Sequence, residues 1–330
     1  MIINVSGRTD IVNYYSKWLV KRLEEGFAYT RNPYNHNQVT CYDLSPDKID
    51  AIIFCSKNYQ PILEDMPMIE KKYPIFCYYT ITAYEEDVER NVPSIDESIS
   101  TLKSLSKIVG RKKLSWRYDP ILLTEKYDID AHLEKFEYIS SKIHRDISFC
   151  VFSFVDMYRK VYRNMPEIVE LTDNDKKEIL EGISKIAHKY DITLQSCATI
   201  TDYSNYDIRK SGCITTDILE KSNNLKFKNV KANGSREGCM CLPWRDIGEY
   251  DTCLNACKYC YANKRPNIAK KKYERHEVTS PILIGHIKEE DKITASKQKS
   301  LLLRDNKQTT LFWLYYILKE FFYLSIISHT

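Results

Sequence analysis

Short apolar, β-branched runs alternate along this chain with longer amphipathic stretches, and that alternation limits the fold more than any other feature. Runs of this kind bounded by polar turns read as buried strands. They fall at 2–5, 51–55, 75–81, 114–118, 147–154 and 193–197. Between them the apolar period changes to that of a helix. Residues 13–25 set Tyr14, Trp18, Leu19, Val20 and Leu23 side by side, and 95–109 repeats Ile99, Leu102, Leu105 and Ile108. Residues 131–142 behave alike, and 175–190 carries Ile179, Ile183, Ile186 and Ala187 on one stripe, with Asp173 or Asn174 as the expected cap. Strand–helix alternation at this spacing predicts parallel βα units. The expected fold class is α/β, a full or partial (β/α) TIM-like barrel, with an open doubly wound sheet as the alternative.

In both arrangements reactive side chains gather at the C-terminal ends of strands. Ser6, Arg8, Thr9 and Asp10 follow the first run, Ser56, Lys57 and Asn58 the second, and Thr80 and Thr82 the third. Arg117 and Asp119 end the fourth, where Arg117 either grips an anionic substrate or forms a structural pair with Asp119. Lys57 has the same two readings, anion contact or a snorkelling stem. After about residue 215 the text becomes loop-like and cysteine-rich. Residues 1–215 are therefore the expected barrel body, 216–310 a cysteine-rich extension packed on it, and 311–330 an apolar tail. The tail reads as a terminal helix packed on the body or a membrane-surface helix, because its longest uncharged run, 308–318, is too short to span a bilayer.

The 330 residues are 43% hydrophobic, enough for a sizeable core, and the net charge of +4 neither demands nor excludes a nucleic-acid partner. With only 9 glycines and neither GxGxxG nor GxxxxGK[ST], a phosphate loop is not expected. The first residues, MIINVSGRTD, have no basic-then-apolar leader, so a cytoplasmic location is expected and the 11 cysteines read as metal ligands, reactive thiols or core residues rather than disulfides.

The densest group of cysteines is DTCLNACKYCYAN, residues 251–263, where Cys253, Cys257 and Cys260 are spaced C-x3-C-x2-C. Three thiolates on one short loop can hold three irons of a [4Fe–4S] cluster and leave the fourth open to a small molecule. Thiolates also suit zinc, so ligand type alone leaves the metal open. Cys239 and Cys241 precede this loop in GCMC. With Cys197 and Cys213 they form either a four-thiolate zinc site or a second cluster; alternatively one of them closes the first cluster as its fourth ligand. Cys41, Cys55, Cys77 and Cys150 lie in apolar strand text and read as core residues. No histidine has paired ligand spacing. The basic run 264–276 reads as a solvated helix face or as a phosphate-binding patch for nucleic acid.

The loop resembles that of the radical S-adenosylmethionine enzymes, with Tyr259 as the aromatic residue before the last cysteine and CKYCYA similar to the form in enzymes like spore photoproduct lyase. That resemblance implies Cys253, Cys257 and Cys260 as cluster ligands, Tyr259 beside the cofactor, S-adenosylmethionine on the open iron, and a reductant such as a ferredoxin or flavodoxin. In those enzymes the loop follows the first strand. Here it stands late, which a circular permutation explains if the text before it forms a strand beside residues 2–5. SGRTD then stands where the family has Gly-Gly-Glu, so Ser6, Arg8, Thr9 and Asp10 are the expected contacts for the methionine end of the cofactor. The chain as a whole resembles the domain of unknown function 1848 family, on SGRTDI, RNPYN at 31–35, IDAIIFCSKN at 49–58, WRYDPI at 116–121 and DIGEYDTCLNACKYCYAN at 246–263. Some relatives carry a photolyase-like label, which implies nucleic-acid repair or modification.

Overall fold

A computed structural model describes residues 1–234 and 236–303. The apolar run expected at 311–330 lies outside the described residues. The strands are β1 (Ile2–Val5), β2 (Phe27–Arg31), β3 (Gln38–Asp43), β4 (Ala51–Ser56), β5 (Ile75–Thr80), β6 (Leu114–Ile121), β7 (Cys150–Phe154), β8 (Leu194–Ser196), β9 (Ile208–Lys210), β10 (Arg245–Asp246) and β11 (Lys292–Ala295). Eight of them form one sheet in the order β10-β1-β4-β5-β6-β7-β8-β9, and every pairing in it is parallel. All six expected strands are present. The order runs round without the reversal that marks a doubly wound sheet. No pairing of β9 with β10 closes the sheet among the described residues.

The latest strand of this sheet is the neighbour of the earliest. Ile3 pairs with Arg245 and Asn4 with Asp246, so the strand that leads into the cysteine loop lies parallel beside β1. The strand expected from the text before the cysteine loop is thus present, as the two residues Arg245–Asp246. β2 and β3 form an antiparallel hairpin, and β11 adds to β3 in parallel. That three-stranded sheet was not expected from the sequence.

Helices cover the sheet through the stripes read above. Ile95–Val109 buries Ile99, Leu102, Leu105 and Val109, starts on a capping box between Ser94 and Glu97, and stops at Gly110, whose φ of 78° only glycine adopts freely. Asp173–Lys189 buries Ile179, Ile183 and Ala187. Its cap is Thr172, not Asp173 or Asn174: the Thr172 hydroxyl accepts from the Asp175 amide while Asp175 bonds back, and this reciprocal pair satisfies two open amides at once. The core is aromatic. Trp18, Trp116, Tyr59 and Tyr79 are fully buried, each worth about 2–3 kcal/mol of transfer energy. Three of these polar tips are satisfied: Trp18 Nε1 donates to the Ser280 carbonyl at 2.8 Å, Trp116 Nε1 to the Ile81 carbonyl at 2.9 Å and Tyr59 OH to the Tyr78 carbonyl at 3.0 Å. Residues 216–303 are woven into both sheets, since β10 joins the large sheet and β11 the small one. No described helix is long and apolar enough to cross a membrane.

Candidate metal centre at the cysteine loop

The loop after β1 is organised by two buried carboxylates. Asp246, at the end of β10, accepts from Ser6 Oγ at 2.6 Å, the Gly7 amide at 2.7 Å and the Gly248 amide at 2.7 Å. Asp10 accepts from Ser56 Oγ at 2.7 Å, the Asn13 amide at 3.0 Å, the Lys57 amide at 3.2 Å and Asn255 Nδ2 at 3.1 Å. Burial raises both carboxyls above the ordinary range, against the pull of those donors. Ser6 and Asp10 are therefore occupied in holding the scaffold. Arg8 lies with its guanidinium 5.5 Å from the Tyr250 ring centroid, and Thr9 Oγ1 is buried with no hydrogen-bond partner among the described residues.

The cysteine loop is anchored on two neighbours. Toward the β1 loop, Asn255 Oδ1 accepts from Asn13 Nδ2 at 3.1 Å and from Tyr14 OH at 2.9 Å, and Tyr15 OH donates to the Thr252 carbonyl at 2.7 Å. Toward the segment after β5, the Lys258 amide donates to the Val88 carbonyl at 3.0 Å, and the Asn91 amide to the Asn255 carbonyl at 3.1 Å. Glu89 and Cys257 form an antiparallel bridge. Asp251 and Ala256 take left-handed backbone angles, φ 61° and 56°, which cost a non-glycine residue energy that the surrounding bonds offset.

Cys253 is buried; Cys257 and Cys260 are half-buried. The three thiols lie within electrostatic reach of one another, and burial is the main cause that pushes Cys253 and Cys257 up from the ordinary thiol range. Two cations face them. Lys57 acts on Cys257, and Lys160 lies in the field of Cys260 and donates to the Asn263 carbonyl. Lys57 is buried, with Nζ 2.8 Å from Glu89 Oε1. Burial alone would lower its ammonium, but Glu89 and Cys257 bring it out above the ordinary value. Glu89 also accepts from Thr82 Oγ1 at 2.8 Å and from Tyr259 OH. Of the two readings of Lys57, the side chain is engaged inside this network.

Arg117 Nη2 pairs with Asp119 Oδ2 at 2.5 Å, and Arg117 Nη1 also donates to Cys213 Sγ at 3.3 Å. Cys241 interacts with Cys213 and with Cys239. Cys77 and Cys150 are core residues, as read. The basic run forms the helix Pro266–Tyr273, with Lys270 and Lys271 exposed and Lys272 bonded to Glu249 at 2.7 Å. None of the eleven cysteines is in a disulfide. As the side chains stand, no group of three or more Cys, His, Asp or Glu among the described residues is gathered around one point tightly enough for a single metal ion. A cleft of about 420 Å³ lies elsewhere, lined by Lys112, Ser148 and Thr193, which precede β6, β7 and β8. It is at the opposite end of the strands from the cysteine loop.

Glu89, Asn13, Asn255, Asp246 and Lys160 were not singled out from sequence. Asp246 and Asn255 lie inside the DIGEYDTCLNACKYCYAN text, so that text did point to them. Glu89 stands in an ordinary acidic surface run, EEDVER, with no distinguishing signal.

The family model described as Domain of unknown function (DUF1848) matches residues 2–262. No curated protein matches the chain.

Proposed function

Since this chain belongs to the DUF1848 family, whose description assigns no activity, we propose its function from its own geometry: it is an iron–sulfur protein of the radical S-adenosylmethionine type. Cys253, Cys257 and Cys260 hold a [4Fe–4S] cluster in this reading. The observation that carries it is the meeting of three thiols from one loop with two cations and the β1 loop at the C-terminal edge of a parallel sheet.

The residues fit such a group. A cubane does not require its thiolates to converge on one point, since each binds its own iron. Lys57 and Lys160 offset the thiolate charge that a cluster would bring into a buried site. Thr9 Oγ1 and Asn263 Oδ1 are buried polar atoms without a partner among the described residues, as expected beside a group they would contact. Because Cys239 and Cys241 pack with Cys213, this reading leaves the loop three thiolates and one open iron. When bound, the cluster supplies one electron and a vacant coordination position for S-adenosylmethionine.

The chain's own groups then orient and shield. Arg8 is the cation for the cofactor's carboxylate, and Thr9 the hydroxyl for its ammonium or ribose. Asp10 and Asp246 hold that loop at fixed distance from the cysteines. Tyr259, tied to Glu89, covers the loop against the core. The half-exposed Arg8 and the basic run that starts at Lys264 and continues through the helix Pro266–Tyr273 flank the site's two loops, and an anionic substrate, nucleic acid included, is the class they suit.

Anaerobic reconstitution with iron and sulfide tests the reading. It gives a brown protein whose visible charge-transfer absorbance is lost in Cys257→Ser, and whose reduced form releases 5′-deoxyadenosine from S-adenosylmethionine. A colourless protein after reconstitution contradicts the cluster. A brown protein that leaves S-adenosylmethionine intact in the presence of reductant contradicts the radical type alone.

A further inference from the structure

The remaining thiols form a second assembly, built from segments that are distant in sequence. Cys197 follows β8, Cys213 lies between β9 and the helix Thr216–Asn223, and Cys239 and Cys241 come from the segment before β10. Cys197 Sγ and Cys213 Sγ are 2.9 Å apart. Cys213 interacts in turn with Cys241, and Cys241 with Cys239, so the four thiols lie in a row within reach of one another. Arg117 Nη1 donates to Cys213 Sγ at 3.3 Å, the Ile214 amide to Cys241 Sγ at 3.4 Å, and Arg236 lies in the field of Cys197. Glycine makes the close approach possible. A Cβ on Gly212 would sit 2.6 Å from the Met240 carbonyl carbon and 2.7 Å from the Cys241 amide nitrogen, and one on Gly234 would sit 2.6 Å from Cys239 Sγ.

We propose that Cys197, Cys213, Cys239 and Cys241 hold one Zn²⁺ ion as a closed four-thiolate site. Sulfurs this close favour one ion over a second cubane: a tetrahedral ion with Zn–S near 2.3 Å keeps its sulfurs roughly 3.8 Å apart, so the 2.9 Å Cys197–Cys213 pair opens by about an ångström on binding, whereas cubane thiolates stand on different irons and farther apart still. Loading the ion gathers the present row of sulfurs into a tetrahedron. Charge points the same way. Buried thiols used as small hydrophobes need no guanidinium, but a tetrathiolate carries net negative charge, and Arg117 and an amide already donate to its sulfurs. With every position filled by protein, the site is structural: it ties the β8–β9 edge of the sheet to the segment that returns the chain to β10, so ion binding adds directly to folding stability.

Metal analysis of the full-length protein, purified anaerobically without chelator, tests the site. One zinc per chain is expected in the wild type and in Cys257→Ser, and its loss in Cys241→Ser and Cys239→Ser. Should those two variants not fold, Co²⁺ exchanged into the wild type reports the same ligand set through the thiolate-to-cobalt absorbance of a tetrahedral tetrathiolate. Absence of zinc, zinc that persists in Cys241→Ser, a second iron–sulfur cluster in its place, or a Cys197–Cys213 disulfide in the protein as purified would each overturn the assignment. The Cys257→Ser arm keeps this result distinct from the fate of the iron–sulfur reading.

Discussion

Asn255 Nδ2 donates to Asp10 Oδ2 at 3.1 Å, across 245 residues of sequence, and so ties the cysteine loop to the loop that follows β1. Asp10 is the hub, because three further donors end on the same carboxylate. Asp10→Ala leaves four donors without their acceptor in a buried position, and a loss of about 3 kcal/mol in urea-unfolding free energy is expected. Asn255→Ala removes one donor and two accepted bonds at the loop itself. Its expected signature is a lower yield of reconstituted cluster, larger in proportion than its loss of stability.

Lys57 and Glu89 form a buried ion pair, and removal of one member strands the other. Lys57→Met is expected to cost about 3–5 kcal/mol, measured by urea unfolding of the iron-free chain. The double variant Lys57→Met, Glu89→Leu should be less destabilised than the Lys57→Met single variant, with a coupling energy of about 1–3 kcal/mol. If the two substitutions simply add, the pair is not the unit that the geometry indicates.

Gly248 stands where no side chain fits. A Cβ there would lie 2.2 Å from Ser6 Oγ and 2.9 Å from Ser6 Cβ, so the Ser6–Asp246 bond must break to admit it. Gly248→Ala is expected to lower stability by about 1–3 kcal/mol and to reduce cluster incorporation, because the β10–β1 junction shifts beneath the cysteine loop. Urea unfolding and iron content measure the two effects separately.

His132 gives the fold a pH dependence. Its ring is buried between Tyr118 OH, 2.8 Å from Nδ1, and the Leu122 carbonyl, 2.8 Å from Nε2, and burial lowers its affinity for a proton. The unfolded chain therefore takes up this proton first. Stability is whole above about pH 6.5 and falls as pH drops from there toward the lower folded value. The urea midpoint should decline between pH 7.5 and 5.5, by less in His132→Gln than in the wild type.

Much of this fold was legible because strands in a parallel sheet are buried on both faces and read as continuous apolar runs. Ile2–Val5 was placed to the residue for that reason and the helix Ile95–Val109 by its helical apolar period, and the late strand beside β1 followed from the position of the cysteine loop. β2, β3, β9 and β11 were missed. Phe27–Arg31 buries only alternate residues, Gln38–Asp43 only Val39 and Tyr42, and Ile208–Lys210 only Ile208, while Lys292–Ala295 is exposed throughout, so none has the apolar signature of a core strand. At the site, cysteine spacing singled out Cys253, Cys257 and Cys260, which lie within electrostatic reach of one another on one loop. The assignment of Ser6 and Asp10 to cofactor contact did not account for Asp246 and Asn255, whose partnership with them depends on tertiary approach. The engagement of Lys57 by Glu89 was equally out of reach, because nothing local distinguishes Glu89 from its acidic neighbours.

Electron paramagnetic resonance of the anaerobically reconstituted, reduced protein, recorded with and without S-adenosylmethionine, tests the three-thiolate cluster most directly. One reduced [4Fe–4S] signal per chain is predicted, absent in Cys257→Ser and shifted when S-adenosylmethionine occupies the open iron. No cluster signal, or one that survives Cys257→Ser, or one that S-adenosylmethionine leaves unchanged, would contradict a three-cysteine cluster with an open position.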